Sequence, residues 1–279
     1  MPTISAGQYH TLKINRTVDF GVYLDDGSDG ILLPTRFVPA DCKIGDDVLV
    51  FVYHDSENRI IATTQKPYGI VGEIVNLKTV SVTPQGAFMD NGLMKDLFVP
   101  KSQQLHKMIP NGNYLVKIYI DEQTGRMAGT EKFEHTLTNQ ELTVQEKQEV
   151  HLTALRRTDI GYLMIVNHRH TGVLHFNEIY QSISPGQSFQ GYVKKIYADT
   201  NKMDVVLGKL GYQRVENETD KILRMLNEAG GFLPYHDKSD PELIYDVFGM
   251  SKKTFKMTLG HLYKQRMIQL EKQGIRLNA

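Results

Sequence analysis

Two groups of side chains in this 279-residue chain carry ligand or charge chemistry at short spacing. His168 and His170, in NHRH, fall on one side of an extended segment, the arrangement from which a metal site is built. No thiol or third histidine stands at ligand spacing. The segment therefore reads as a solvated turn in which Arg169 can meet a phosphate, and neither a metal nor a cofactor is expected. Lys252, Lys253 and Lys256 crowd the start of a helical pattern, where backbone amides and the helix dipole already favour an anion. Three cations there disfavour the helix itself, which points to a phosphate partner; a solvated lysine face is the plain alternative. Catalysis has no foothold. G-x-x-x-x-G-K-[ST], H-E-x-x-H, G-x-S-x-G and C-x-x-C are all absent, and the lone Cys42 has no evident histidine partner, so a binding protein is expected rather than an enzyme.

Lys plus Arg equals Asp plus Glu, 32 each, but the average hides a gradient. Residues 1–66 carry six basic and nine acidic groups, residues 67–134 seven and seven, 135–208 seven and seven, and 209–279 twelve and nine. Seven basic residues between 251 and 279 face Glu271 alone, so any field that attracts a polyanion is strongest at that end. A single cysteine permits no internal disulfide, and MPTISAGQYH shows no basic segment followed by an apolar run. With no apolar stretch near the roughly 20 residues that span a bilayer, a cytoplasmic chain with no membrane partner is expected.

These groups need positioning elements, and the chain writes those elements in repeats. FGVYLDDGSDGILLP (20–34), GAFMDNGLMKDLFVP (86–100) and IGYLMIVNHRHTGVLHFNEI (160–179) share one plan: a glycine, an apolar strand, a polar turn and a second apolar strand. Gly21, Gly86 and Gly161 set spacings of 65 and 75 residues, too long for solenoid units, so each copy should be a domain. Each phrase continues into a glycine turn and a strong strand, at 44–63, 110–129 and 185–208. Five strands in about 65 residues describe a small closed antiparallel barrel of the OB type, which leaves no bare sheet edge. Barrels are expected over 1–66, 67–134 and 149–210, with the polar stretch 135–148 as a linker.

After Gly208 the apolar period becomes helical. Ile222, Leu223, Leu226 and Ala229 mark a first helix, with Thr219 as N-cap and Gly230–Gly231 as its stop. Ser239 or Asp240 caps a second helix that ends at Gly249, and Ser251 caps a third with Phe255, Leu259 and Leu262 inside. Ile268/Leu270 and Ile275/Leu277 then alternate around EKQG as a hairpin. The fold class expected is mainly β: tandem barrels followed by a winged helix-turn-helix over 217–279.

The order of glycine-aromatic strand, acidic turn, G-[ILV]-[LV]-x strand and Asp-turn-[RK]-[IM] strand resembles the S1 RNA-binding domain, most closely in TGVLHFNEI of the third copy. Three such copies before a winged helix resemble the conserved virulence factor B family, cytoplasmic bacterial RNA-binding proteins linked to gene-expression regulation. The resemblance implies base-stacking rings at Tyr23 and Phe88, with Tyr162 the candidate in the third copy, where Leu163 takes the matching position. It implies a base contact at His175, whose places in copies one and two are read as Leu33 and Val99. Basic residues after the last turn, Arg126 and Lys202, would follow phosphates; Arg59 reads as a solvated hairpin side chain. Lys194 and Lys195 adjoin Tyr192, and strand alternation lets only one of them face the ligand. The resulting expectation is an RNA-binding regulator that holds single-stranded RNA through several weak modules. A protein-interaction scaffold and a DNA-binding regulator led by the winged helix stand as alternatives.

Overall fold

The computed structural model describes residues 4–179, 182–208 and 211–278, the side chains of 211–217 excepted. Three closed five-stranded barrels come first. Barrel one comprises β1 (Gln8–Val18), β2 (Gly21–Leu24), β3 (Ile31–Pro34), β4 (Asp47–His54) and β5 (Ile60–Thr63). Barrel two comprises β6 (Ile74–Val82), β7 (Gly86–Asp90), β8 (Leu97–Pro100), β9 (Asn113–Ile120) and β10 (Met127–Thr130). Barrel three comprises β11 (Glu149–Arg157), β12 (Gly161–Val166), β13 (His170–His175), β14 (Ser188–Tyr197) and β15 (Lys202–Leu207). The strands alternate, and the inward set fills each core: Ile14, Leu24, Leu33 and Val50 in the first barrel, Leu77, Met89, Val99 and Ile118 in the second, Leu152, Met164, Leu174 and Val205 in the third.

The barrels are not antiparallel throughout. Closure requires the third strand to meet the fifth in parallel, through Leu32 and Ile61, Phe98 and Ala128, and Val173 and Asp204. The first strand of each barrel also breaks register at one equivalent place, between Ile14 and Arg16, Thr79 and Ser81, and Ala154 and Arg156. Such a bulge bends a strand around a small barrel.

The repeated glycine has a steric cause. A Cβ at Gly21 would stand 2.2 Å from the Leu33 carbonyl oxygen, one at Gly86 2.3 Å from that of Val99, and one at Gly161 2.0 Å from that of Leu174. Only a residue without Cβ lets the second strand press against the third.

The chain forms two compact units, Met1–Thr138 and Asn139–Ala279. Within the first, barrels one and two are braced. Val71 N–H donates to the Gly7 carbonyl (3.0 Å) and Gln8 Nε2 to the Val71 carbonyl (3.0 Å). Lys95 Nζ donates to the carbonyls of His54 (3.2 Å) and Asp55 (2.7 Å).

Within the second unit, the stretch expected as a linker is in large part docked on barrel three. Val144 is buried in that barrel's core, Asn139 Nδ2 donates to the carbonyls of Thr171 (2.8 Å) and Asn201 (3.0 Å), and Glu146 Oε1 accepts from Ile196 N–H (2.8 Å). The winged helix follows, with α1 (Gly211–Glu228), β16 (Phe232–Leu233), α2 (Pro241–Phe248), α3 (Lys252–Lys264), β17 (Ile268–Glu271) and β18 (Gly274–Leu277). Thr219 is not a cap: α1 starts eight residues earlier, at Gly211, and Thr219 lies buried inside it. Asp240 and Ser251 do cap α2 and α3, accepting from Glu242 N–H (2.8 Å) and Thr254 N–H (3.1 Å), and Gly249 ends α2 in the left-handed region. Phe248, Phe255, Leu259, Leu262 and Ile275 close the core.

Substituting Gly161→Ala should lower stability by about 1–3 kcal/mol, since the clash is with backbone and cannot be relieved by a rotamer change. Gly260→Ala in α3, where a Cβ meets nothing within 4 Å, should raise it by about 0.5–1 kcal/mol. Urea unfolding of each variant beside the parent reads both signs.

Candidate nucleic-acid interface

On barrel one, the bulge in β1 places Arg16 directly opposite Tyr23 in register. The guanidinium lies 4.2 Å from the ring centroid, and Phe20, 58% exposed, meets the same ring edge-on at 6.5 Å. Arg16 Nη2 also donates to the Asp29 carbonyl (3.2 Å). A ring and a cation thus share one outward patch, as single-strand binding needs. Arg59 is turned to its own hairpin, on Asp55 (2.7 Å) and Glu57 (2.8 Å), in agreement with the solvated reading.

On barrel two the equivalent position is Phe88, opposite Phe98 on β8, with ring centroids 5.0 Å apart. Both line a groove of 1160 Å³ together with Tyr119, Lys95 and Arg126. Arg126 Nε donates to Asn58 Oδ1 of barrel one. Burial first, then Arg126, lowers the Lys95 pKa.

On barrel three the equivalent position is Leu163, paired with Val173. Tyr162 is one residue out of phase, so it points to the core side, where its hydroxyl donates to the Ile183 carbonyl (2.9 Å). The exposed ring nearby is Phe176, 6.2 Å from Tyr162, with Arg157 5.1 Å above it.

His175 stands opposite Gly161, and the residues opposite Gly21 and Gly86 are Pro34 and Pro100. The counterparts of His175 are therefore these prolines. Leu33 and Val99, expected there, are core residues that match Leu174: they lie one residue before the strand position of His175, and a shift of one reverses the face.

His175 Nε2 is 3.0 Å from Asp204 Oδ1, and Tyr197 donates its hydroxyl to the other oxygen of the same carboxylate (2.9 Å). One carboxylate thus orients an imidazole and a phenol. It also raises the Tyr197 pKa, by accepting the hydroxyl proton and by its charge. Lys195 Nζ lies 4.6 Å above the Tyr197 ring. Lys194 and Lys195 are both exposed, contrary to simple alternation, because a bulge in β14 skips Lys194. Lys194 is held by Glu178 (2.7 Å), whose hydrogen bond raises the lysine pKa. Lys202 is exposed and pairs with Tyr197 in register.

The histidines of NHRH do not share a side. Asn167 and His168 take positive φ in a turn, so the extended geometry fails. His168 stacks on His151 with centroids 4.9 Å apart, while His170 is buried with Nε2 accepting from Thr143 N–H (3.2 Å). Arg169 is exposed in the turn. Among the described residues, no group of three or more His, Cys, Asp or Glu side chains is placed to hold a metal ion. On the winged helix, Lys253 and Lys256 are exposed and Lys252 half-buried at the start of α3; Lys256 reaches Asp237 at 3.9 Å.

Side chains that the sequence reading passed over include Arg16, Phe98, Tyr197 and Asp204. Phe98 was accessible to alternation, two residues before Pro100 on the outward phase of β8. Asp204 and Tyr197 meet only through the β14–β15 pairing, which no local pattern announces.

Comparison with known proteins agrees with this architecture. The family described as S1 domain matches residues 6–65, and the family described as CvfB-like winged helix domain matches residues 220–277. The resemblance to the conserved virulence factor B family is borne out. Conserved virulence factor B of Staphylococcus aureus (strain N315) is 28% identical over 246 residues, covering 85% of this chain and 81% of that protein. A Bacillus subtilis (strain 168) protein named YitL is 29% identical over 272 residues, covering 95% of this chain and 91% of its own. A solved multidomain protein with nucleic acid binding domains from Streptococcus pneumoniae TIGR4 covers 98% of both chains at 22% identity, with a TM-score of 0.41. No helix among the described residues is long and apolar enough to cross a membrane.

Replacing Asp204→Asn should remove the charge and one of the two acceptors by which its carboxylate holds His175 and Tyr197. The Tyr197 titration, raised in the parent, should then fall toward the ordinary value of about 10. The sign follows from linkage. A phenol that holds its proton more tightly when folded contributes stability below about pH 10, and that contribution is lost as the pH rises through the Tyr197 titration. NMR of ring-labelled tyrosine across alkaline pH reads the shift.

Proposed function

We propose that this chain binds single-stranded RNA through its tandem S1-like barrels, with the basic end of α3 adding a further phosphate contact, and that it acts as a regulator of gene expression. The observation that carries the reading is the recurrence of an aromatic ring on the outward face of each barrel, with a cation over it on the first and third. Tyr23 has Arg16 at 4.2 Å, Phe88 pairs with Phe98 beside Arg126 and Lys95, and Tyr197 has Lys195 at 4.6 Å next to His175. Stacking on such rings contributes about 1 to 3 kcal/mol per base and tolerates any base. Single strands fit this surface better than duplex, whose bases are already stacked on one another. Each patch alone is small, and tethering raises the effective concentration of the next.

The roles of Tyr23, Phe88 and His175 in this reading are contacts to bases. Those of Lys195, Lys202, Lys252, Lys253 and Lys256 are contacts to phosphates. Lys194 and Arg126 are largely engaged by Glu178 and Asn58 and serve mainly to hold the surface in shape. Tyr162 supports Phe176 from the core side and takes no direct part. A partner role for DNA is favoured by one feature only, the exposed lysines at the N-terminus of α3, and competition with duplex distinguishes it.

A salt titration of binding to an unstructured RNA oligomer tests the reading. Affinity should fall linearly on a logarithmic scale, as counterions released by phosphate neutralisation require. Changing Lys252, Lys253 and Lys256 together to Gln should flatten that slope by up to about one unit per lost contact. Absence of binding, or a slope of zero, would contradict the proposal.

A further inference from the structure

The groove along barrel two is lined by Phe88, Phe98 and Tyr119, and also by Tyr53 and His54 of barrel one. Most of its charged groups are already committed. Lys95 donates to the carbonyls of His54 and Asp55, Arg126 Nε to Asn58, and Asp121 accepts from the Thr124 N–H and hydroxyl (2.9 and 2.8 Å). Asp96 differs. It is half-buried in the same groove, and among the described residues no donor or cation pairs with its carboxylate. Burial, and secondarily the charge of Asp90, raises its pKa. With no protein donor, the partly buried carboxylate has only water for a partner, and a ligand that brings paired donors can replace that water.

The occupant that satisfies these walls is flat, uncharged and rich in N–H groups on one edge. Phosphate fits poorly, because Asp96, Asp121 and Glu122 line the groove and its cations are engaged. A base can stack on one of the two rings, Phe88 or Phe98, which line the groove tilted 45° to each other. Among the four bases, guanine alone presents two adjacent donors, N1–H and the N2 amine, matching the two oxygens of one carboxylate. Adenine and cytosine set an acceptor beside their amine, and uracil flanks one N–H with two carbonyls. Resting on the RNA-binding reading above, we propose that the groove between barrels one and two seats one base of the strand, and that Asp96 selects guanine there.

The test uses the full chain and fluorescence anisotropy with uridine oligomers that carry guanosine, inosine, adenosine or uridine at one central position. The guanosine oligomer should bind about tenfold tighter than all-uridine RNA, within the range of a bidentate base contact. Inosine, which lacks the N2 amine, should fall between them. Asp96→Asn should bring the guanosine-to-uridine ratio to within about twofold. Equal affinity of the parent for all four oligomers, or an undiminished ratio in Asp96→Asn, overturns the selection while leaving RNA binding intact. No binding of any oligomer overturns the RNA reading and this site with it. Free GMP should compete poorly; displacement by GMP as effective as by the guanosine oligomer overturns the strand as occupant in favour of a free nucleotide.

Discussion

At the start of the second strand of each barrel, a carbonyl oxygen sits where a side chain would otherwise begin. The oxygens of Leu33, Val99 and Leu174 lie within 2.3 Å of the Cβ position of Gly21, Gly86 and Gly161, so the second strand of each barrel can pack flush against the third. That approach brings the glycine strand and its neighbour into one tight ribbon, which the bulge in the first strand then wraps and the parallel ladder between third and fifth strands closes. The outward positions that follow from it, Tyr23 and Phe88 two residues on and His175 directly opposite, are set by the same register.

Because the scaffold repeats while the surface does not, the three barrels carry different chemistry on one frame. Barrel one offers a tyrosine under a guanidinium, barrel two a pair of phenylalanines in a groove, and barrel three an imidazole and a phenol held by one aspartate. The brace between barrels one and two, through Lys95 and Arg126, commits cations that would otherwise be free for phosphate. In the proposed complex this leaves the phosphate contacts mainly to Lys195, Lys202 and the lysines of α3.

The architecture was legible because it rests on local signals: period-two alternation, turn residues, caps at Asp240 and Ser251, and a glycine that recurs at barrel spacing. The site was only half legible. Tyr23 and Phe88 lie on the outward phase expected of them, but an alignment one residue out put Leu33 and Val99 in the place of Pro34 and Pro100, and strand geometry turns such a slip into the wrong face. The bulge that exposes both Lys194 and Lys195, and the Asp204 carboxylate shared by His175 and Tyr197, depend on cross-strand pairing. The long start of α1 is hard to read locally because Gly208 and Gly211 look like turn residues and no Ser, Thr, Asp or Asn stands directly before the helix.

The central claim is that equivalent outward patches on the barrels contact one strand of RNA. Ultraviolet crosslinking of the full chain to a single-stranded oligomer, followed by mass-spectrometric mapping of the adducts, tests it most directly. The account predicts adducts at Tyr23, at Phe88 or Phe98, and at His175 or Tyr197. Adducts confined to the winged helix, or none on the barrels, would contradict it.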